Sequence, residues 1–218
     1  MNCLLVPSFR FTILLRIAAM LLIIQGSLMA RETKDWWRVY YNVRFLQEEY
    51  RDGDSFSLKV KSGSRELTWK IRVYGSDTPE SEAATPSPEL LANQAKTFGL
   101  ASENDVLTWG GKASAATETW LSSAKQIDLF VPEDGKEKVG DGRYLGIVRI
   151  TPKDGEPYLL HERLLEEGLA SPSTNMAPWP EKDFRRWNEE ELRDRYRRDL
   201  TQKANKAKRD RVGIWGKQ

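Results

Sequence analysis

The sequence predicts an α+β fold, mainly antiparallel, in which five short strands close into a small barrel and helices pack against it. Three observations carry that prediction. Alternating apolar runs recur as "SFSLKVK", "ELTWKIRVY", "KQIDLFV" and "RYLGIVRI". A loop and helical stretch separates the third strand from the fourth, and amphipathic helical patterns close the chain.

The elements follow in order. "WWRVYYNVRFLQEEY", rich in Trp, Tyr and Val, reads as a strand. "SFSLKVK" puts Phe56, Leu58 and Val60 on one face and Ser57, Lys59 and Lys61 on the other. After the turn "SGS", Leu67, Trp69, Ile71 and Val73 alternate with Thr68, Lys70, Arg72 and Tyr74, so Arg72 is presented on the face opposite the apolar stripe. Residues 81–111 read as an inserted loop with one or two short helices, and "KASAATETWLSSA" as a helix of its own. "KQIDLFV" is the fourth strand, "PEDGKEKVGDG" an exposed turn and "RYLGIVRI" the fifth strand. "YLLHERLLEEGLA" is helical and stops at Gly168. The last helix spans roughly 183–209, with Phe184, Leu192, Tyr196, Leu200, Ala204 and Ala207 as its apolar stripe and a basic face offering a possible nucleic-acid surface. Five strands interrupted by helix after the third give a five-stranded Greek-key barrel of the OB type with about three packed helices.

The first thirty residues read differently from the rest. Arg10 and Arg16 precede the apolar run "IAAMLLII", a small residue stands at Ala30, and no acidic residue occurs. Eight apolar residues fall well short of the about 20 that span a bilayer, which fits a signal peptide cleaved near Ala30, with an uncleaved anchor as the alternative. The expected location is secreted or periplasmic, and residues 31–218 form a single domain.

Without that segment the chain carries 32 basic and 32 acidic residues. The charge is uneven: residues 181–218 hold 13 basic and 8 acidic side chains. Cys3 is the only cysteine and lies in the removed segment, so the remainder forms no internal disulfide and no thiolate metal site. His161 is the single histidine, which excludes HExxH zinc sites, two-histidine acid–base chemistry and Cys/His catalysis. Its helical, apolar setting makes it a structural or capping residue. An enzyme built from this chain would work with carboxylates, arginines, hydroxyls and a hard cation.

Three carboxylates stand where strands meet turns: Asp54 in "RDGDSF", and Asp77 and Glu80 in "GSDTPE". Should Asp54 and Asp77 converge to about 4 Å, they repel by roughly 4 kcal/mol at an effective dielectric near 20. A cation, a shared proton or separation must relieve that. All-oxygen ligation by two carboxylates, a backbone carbonyl and waters suits Ca²⁺ or Mg²⁺. Arg72 and Arg143 add guanidinium forks that match phosphoryl oxygens, and Glu80 could orient or deprotonate a water.

"DGDSFSLKV", "IRVYGSDTPE", "GDGRYLGIV", "LLEEGLA" and "NKAKRDRVGIW" together resemble the staphylococcal nuclease (thermonuclease) family over about 43–215. The resemblance implies calcium at Asp54, Asp77 and the Thr78 backbone carbonyl, with Arg72, Glu80 and Arg143 as the catalytic residues. It further implies Ca²⁺-dependent hydrolysis of DNA and RNA phosphodiesters to 3′-phosphates, by a monomer without a stable protein partner. The alternative is a non-catalytic nucleic-acid- or protein-binding module, though such relatives tend to lose the charged residues kept here. Departures bear on substrate binding. Asp141 stands where the family often has tyrosine, Ser55 replaces threonine, and "GLASPSTNMAPWP" lacks the tyrosines the family has after its GLA segment, where Trp179 could stack instead. The segment 81–111 is longer than in simple members, and whether it closes over the site or decorates the barrel is the question it poses.

Overall fold

Alternation of apolar side chains decides the sheet. The strands are β1 (Trp37–Tyr40), β2 (Arg44–Leu46), β3 (Ser55–Ser62), β4 (Arg65–Val73), β5 (Ser76–Asp77), β6 (Gln126–Pro132), β7 (Tyr144–Thr151), β8 (Tyr158–Leu159) and β9 (Ser171–Pro172). Four helices accompany them among the described residues: α1 (Pro88–Phe98), α2 (Glu103–Ser123), α3 (Leu160–Glu166) and α4 (Glu190–Arg209). The computed structural model describes residues 37–47, 52–132, 142–173 and 190–217. The expected signal peptide, Asp141, Trp179, Phe184 and the start of the last helix lie outside these.

The architecture is α+β with a mostly antiparallel sheet, as expected. The strand order is β1-β6-β7-β4-β3-β2, with β8 on β7 and a separate β5–β9 pair. One pairing on this path is parallel: β4 with β7, in the register Ile71↔Tyr144, Arg72↔Leu145 and Val73↔Gly146. The two strands at the ends of the path, β1 and β2, are neighbours in sequence, so the single expected first strand is split in two. Between them Asn42 takes φ +53°, a conformation Asn tolerates better than most residues. Buried Asp128 fixes this kink by accepting hydrogen bonds from the Asn42 N–H (3.1 Å), Gln126 Nε2 (2.8 Å) and Arg149 Nη2 (2.7 Å). Burial alone would raise the Asp128 pKa, but these donors outweigh it and hold the carboxyl below its ordinary range.

The core lies where the stripes meet. Phe56, Leu58, Val60, Ile71 and Val73 face Leu129, Val131, Val148 and Ile150, and α3 and α4 cover them with Leu160, Leu164, Leu165 and Leu200. Leu67 departs from its stripe: it is 40% exposed, because the β3–β4 hairpin runs on past the core. A second cluster joins Phe98 at the end of α1 to Ala207, Ile214 and Trp215. Leu200, Ala204 and Ala207 are buried along α4 as the stripe predicts. His161 is fully buried against the Tyr196 hydroxyl, and burial pushes its pKa down to about 3, so it is a structural residue, as expected.

Two boundaries differ from the sequence reading. α2 is one helix of 21 residues that runs through Gly110 and Gly111, where a break was expected. Tyr158 and Leu159 belong to β8, and α3 ends at a Glu167 cap with Gly168 following at φ +62°. Both helices have capped starts: the side chains of Ser87 before Pro88 and Ser102 before Glu103 accept from the Leu90 and Asp105 N–H groups. No helix among the described residues is long and apolar enough to cross a membrane.

Candidate active site

The ends of β3, β4 and β7 meet at one place. Asp54 sits in the turn before β3 with no exposed surface, and its carbonyl accepts from the Val73 N–H at 2.8 Å, tying it to the end of β4. Its carboxylate accepts from the Thr78 N–H (2.8 Å), from Ser55 Oγ (3.1 Å) and from Arg72 Nη1. Arg72 Nη2 donates to Asp77, so one guanidinium bridges the two carboxylates. The parallel register sets Tyr144 beside Ile71, which brings Arg143 next to the Arg72 region, and Arg143 Nη1 donates to Ser55 Oγ. Asp77 pairs in register with Ser171, so the chain following the "GLA" turn runs alongside the carboxylate cluster.

Glu80 is half-buried and within electrostatic reach of Asp54, Asp77, Arg72 and Arg143. All five candidate side chains therefore belong to one charged cluster, as the sequence reading required. A further member, Asp52, was not anticipated: it is 4% exposed, and its carboxylate accepts from the Asp54 N–H at 3.2 Å. Its sequence signal was the acid two residues before Asp54 in "RDGD".

Four carboxylates against two arginines leave an excess of negative charge. Every one of the four is held above its ordinary pKa. Burial is the main cause for each, reinforced by a neighbour: Glu80 for Asp52, Asp52 for Asp54, and Asp54 for both Asp77 and Glu80. Arg72 is also held above its ordinary pKa: burial would lower it, but Asp54 and Asp77 more than offset that, so it stays charged.

That excess is the test of whether calcium suits the site. The donor chemistry fits, because Asp54, Asp77 and the Thr78 carbonyl offer hard oxygens where added positive charge lowers the energy. Among the described residues no three His, Cys, Asp or Glu side chains form a metal cage, and a set of two carboxylates and a carbonyl does not require three.

A scan against protein-family models and a search of curated proteins return no match.

The segment 81–111 reaches the site directly. Gln94, in α1, is 6% exposed and spans the "TPE" turn: its Oε1 accepts from the Glu80 N–H (2.8 Å) and its Nε2 donates to the Thr78 carbonyl (3.3 Å). A side chain carrying both a donor and an acceptor can satisfy these two groups at once. Gln94 lies with Leu91 and Phe98 on the buried stripe of α1, and that polar residue on an apolar stripe was its sequence signal. α2 supplies the opposite jaw. A Cβ at Gly110 would stand 2.0 Å from the Glu80 carbonyl oxygen and 2.8 Å from that of Pro79. The glycine is thus there for close approach, which explains why it does not break the helix. Further along α2, Thr117 Oγ1 donates to the Gly53 carbonyl at 2.9 Å, holding the turn that carries Asp54. The two helices clamp the backbone on either side of Thr78 and Glu80.

Proposed function

We propose that the chain is a Ca²⁺-dependent phosphodiesterase acting on DNA and RNA, a staphylococcal nuclease-like hydrolase that leaves 3′-phosphates. The observation that carries this reading is the convergence of Asp54, Asp77, Arg72, Arg143 and Glu80 from the ends of β3, β4, β5 and β7 into one partly buried cluster. Arginine forks beside excess carboxylate suit a phosphate diester together with a cation, and neither alone.

The roles follow from the side chains. Bound Ca²⁺, held by Asp54, Asp77 and the Thr78 carbonyl, would polarise a phosphoryl oxygen and offset the carboxylate repulsion. Arg72, 18% exposed, can turn from its carboxylates toward phosphate, where it and Arg143 meet the charge that develops on the phosphoryl oxygens. Glu80, with its pKa raised by burial and by Asp54, is suited to take a proton from water as that water attacks phosphorus. The P–O5′ bond breaks as the water oxygen bonds to phosphorus, and the leaving 5′ oxygen takes its proton from solvent to give a 3′-phosphate and a 5′-hydroxyl; the Gln94 and Gly110 contacts fix the backbone from which Glu80 projects.

The same reading includes the OB-type barrel. Its support is that β1 and β2 occupy opposite ends of the strand path yet are separated only by Tyr41, Asn42 and Val43, so a kinked first strand can close the sheet on itself. The parallel β4–β7 pairing is the crossing such a barrel requires.

Product-end analysis of a cleaved oligonucleotide, with and without Ca²⁺, tests activity, metal and bond choice together. The expected result is Ca²⁺-dependent cleavage to 3′-phosphate ends that Glu80→Gln reduces by about 10² to 10⁴-fold. Undiminished cleavage by Glu80→Gln would overturn the role of Glu80, and binding without turnover in Ca²⁺ would overturn the hydrolase reading.

A further inference from the structure

We propose that α2 sets the cation selectivity of the site: Ala113 and Thr117 are positioning residues that hold the Asp54 turn against contraction, so that the site takes Ca²⁺ in preference to Mg²⁺. The proposal rests on the calcium reading above and concerns which hard ion the ligands accept. The buried positions of α2 are Val106, Gly110, Ala113, Ser114, Thr117 and Leu121. Bulky apolar side chains stand only at the two ends of that stripe. Between them, Gly110, Ala113 and Thr117 meet the two turns that carry the candidate ligands.

One helix therefore touches both halves of the site. A Cβ on Gly110 would lie 2.8 Å from the Pro79 carbonyl oxygen, which places the helix against the "TPE" turn. One turn on, Ala113 meets the "DGD" turn: a Cβ on Gly53 would stand 2.9 Å from the Ala113 Cβ and 2.9 Å from Cγ2 of Thr78. Helix, Thr78 and Gly53 converge with no room for another methyl group. A further turn on, fully buried Thr117 donates from Oγ1 to the Gly53 carbonyl at 2.9 Å. Gly110 and Thr117 lie about 10.5 Å apart along the helix axis, so α2 bridges the two turns as a bar of fixed length.

The position of the turn is the position of the ligand, because Asp54 cannot adjust alone. Its carboxylate has no exposed surface and accepts from the Thr78 N–H (2.8 Å) and from Ser55 Oγ (3.1 Å), while its own N–H donates to Asp52 (3.2 Å). The Thr78 carbonyl is held from the other side by Gln94 Nε2 at 3.3 Å. Oxygens fixed in this way keep the separation their backbone gives them. Ca²⁺ takes oxygen ligands at about 2.3–2.6 Å in adaptable geometries, whereas Mg²⁺ requires about 2.0–2.1 Å in a near-ideal octahedron. A ligand set that cannot draw in favours the larger ion, and freeing the Gly53 turn from α2 lets Asp54 follow a smaller one inward.

Calorimetric titration of the protein with Ca²⁺ and, separately, with Mg²⁺, in the absence of nucleic acid, reads the selectivity without turnover. Thr117→Val keeps the shape of the side chain and removes its donor. It should lower the ratio of Ca²⁺ to Mg²⁺ affinity by about 10-fold or more, the usual effect of losing a group that orients a metal ligand. Ala113→Gly removes the spacer, should lower the ratio in the same direction, and carries the test should Thr117→Val fold poorly. Thr117→Ser retains the hydroxyl and should keep the wild-type ratio. Leu121→Val, a core change one turn farther along α2, should lower the melting temperature and leave the ratio unchanged. Parallel losses for both ions in Thr117→Val and Ala113→Gly, or an equal fall of the ratio in Leu121→Val, would overturn the proposal. A wild type that binds neither ion would overturn the calcium reading with it, whereas one that binds Ca²⁺ without cutting nucleic acid would overturn the hydrolase reading alone.

Discussion

Gly110 and Gly111 are adjacent in the same helix, yet they should respond to alanine in opposite ways. At Gly110 a Cβ would lie 2.0 Å from the Glu80 carbonyl oxygen and 2.4 Å from its carbonyl carbon, whereas at Gly111 nothing lies within 4 Å. Ordinary contact begins near about 3.5 Å, so Gly110→Ala must displace either the Glu80 backbone or the helix by about 1 Å or more. A misplacement of that size at a reacting group costs about 10²-fold in rate, and overpacking costs about 1–3 kcal/mol in stability. Gly111→Ala removes only the conformational freedom of a helical glycine and should stabilise by about 0.5–1 kcal/mol with unchanged rates. Urea unfolding and steady-state hydrolysis of a small phosphodiester measure both quantities. Hydrogen exchange at the Glu80 N–H, now bonded to Gln94, provides a readout independent of activity and should quicken only in Gly110→Ala. A Gly110→Ala protein with native rates and native Glu80 protection would refute the close-approach argument.

Gln94→Leu leaves the Glu80 N–H and the Thr78 carbonyl without their partner and should cost about 1–3 kcal/mol in urea unfolding, besides lowering turnover. His161 gives a pH dependence: its folded pKa is about 3 against 6.5 when unfolded, so the unfolded chain binds the extra proton between those values. Its contribution is intact above pH 6.5 and falls by about 1.4 kcal/mol per pH unit below it; the stability difference between wild type and His161→Gln across that range should show this slope, and a flat difference would contradict it. Calcium at ten times its dissociation constant should stabilise the fold by about 1.4 kcal/mol in thermal unfolding, and Asp54→Asn should abolish that increment.

Much of the sheet and of the charged cluster was legible because the information is local. Alternation alone put Arg72 on the face opposite Ile71 and Val73, and turn chemistry put Asp54 and Asp77 at strand ends. What escaped was set by distant contacts. The Gly110–Gly111 pair looks like a breaker until the Glu80 carbonyl, thirty residues earlier, is seen against it. Leu67 fits its stripe, but no periodicity says where the core stops along a hairpin. The split of the first strand at Asn42 depends on Asp128, a polar residue within an apolar strand whose partners lie on neighbouring strands. Gln94 was visible only as an anomaly, since its two partners sit on a turn that folds back onto its helix.

The Phe98, Ala207, Ile214 and Trp215 cluster has a consequence for the order of synthesis. Phe98 lies one helical turn beyond Gln94, and the residues that seat it, with ring centroids 5.9 Å apart at Trp215, come after every strand of the sheet in chain order. The clamp on Glu80 and Thr78 is therefore completed only when Ile214 and Trp215 have left the ribosome.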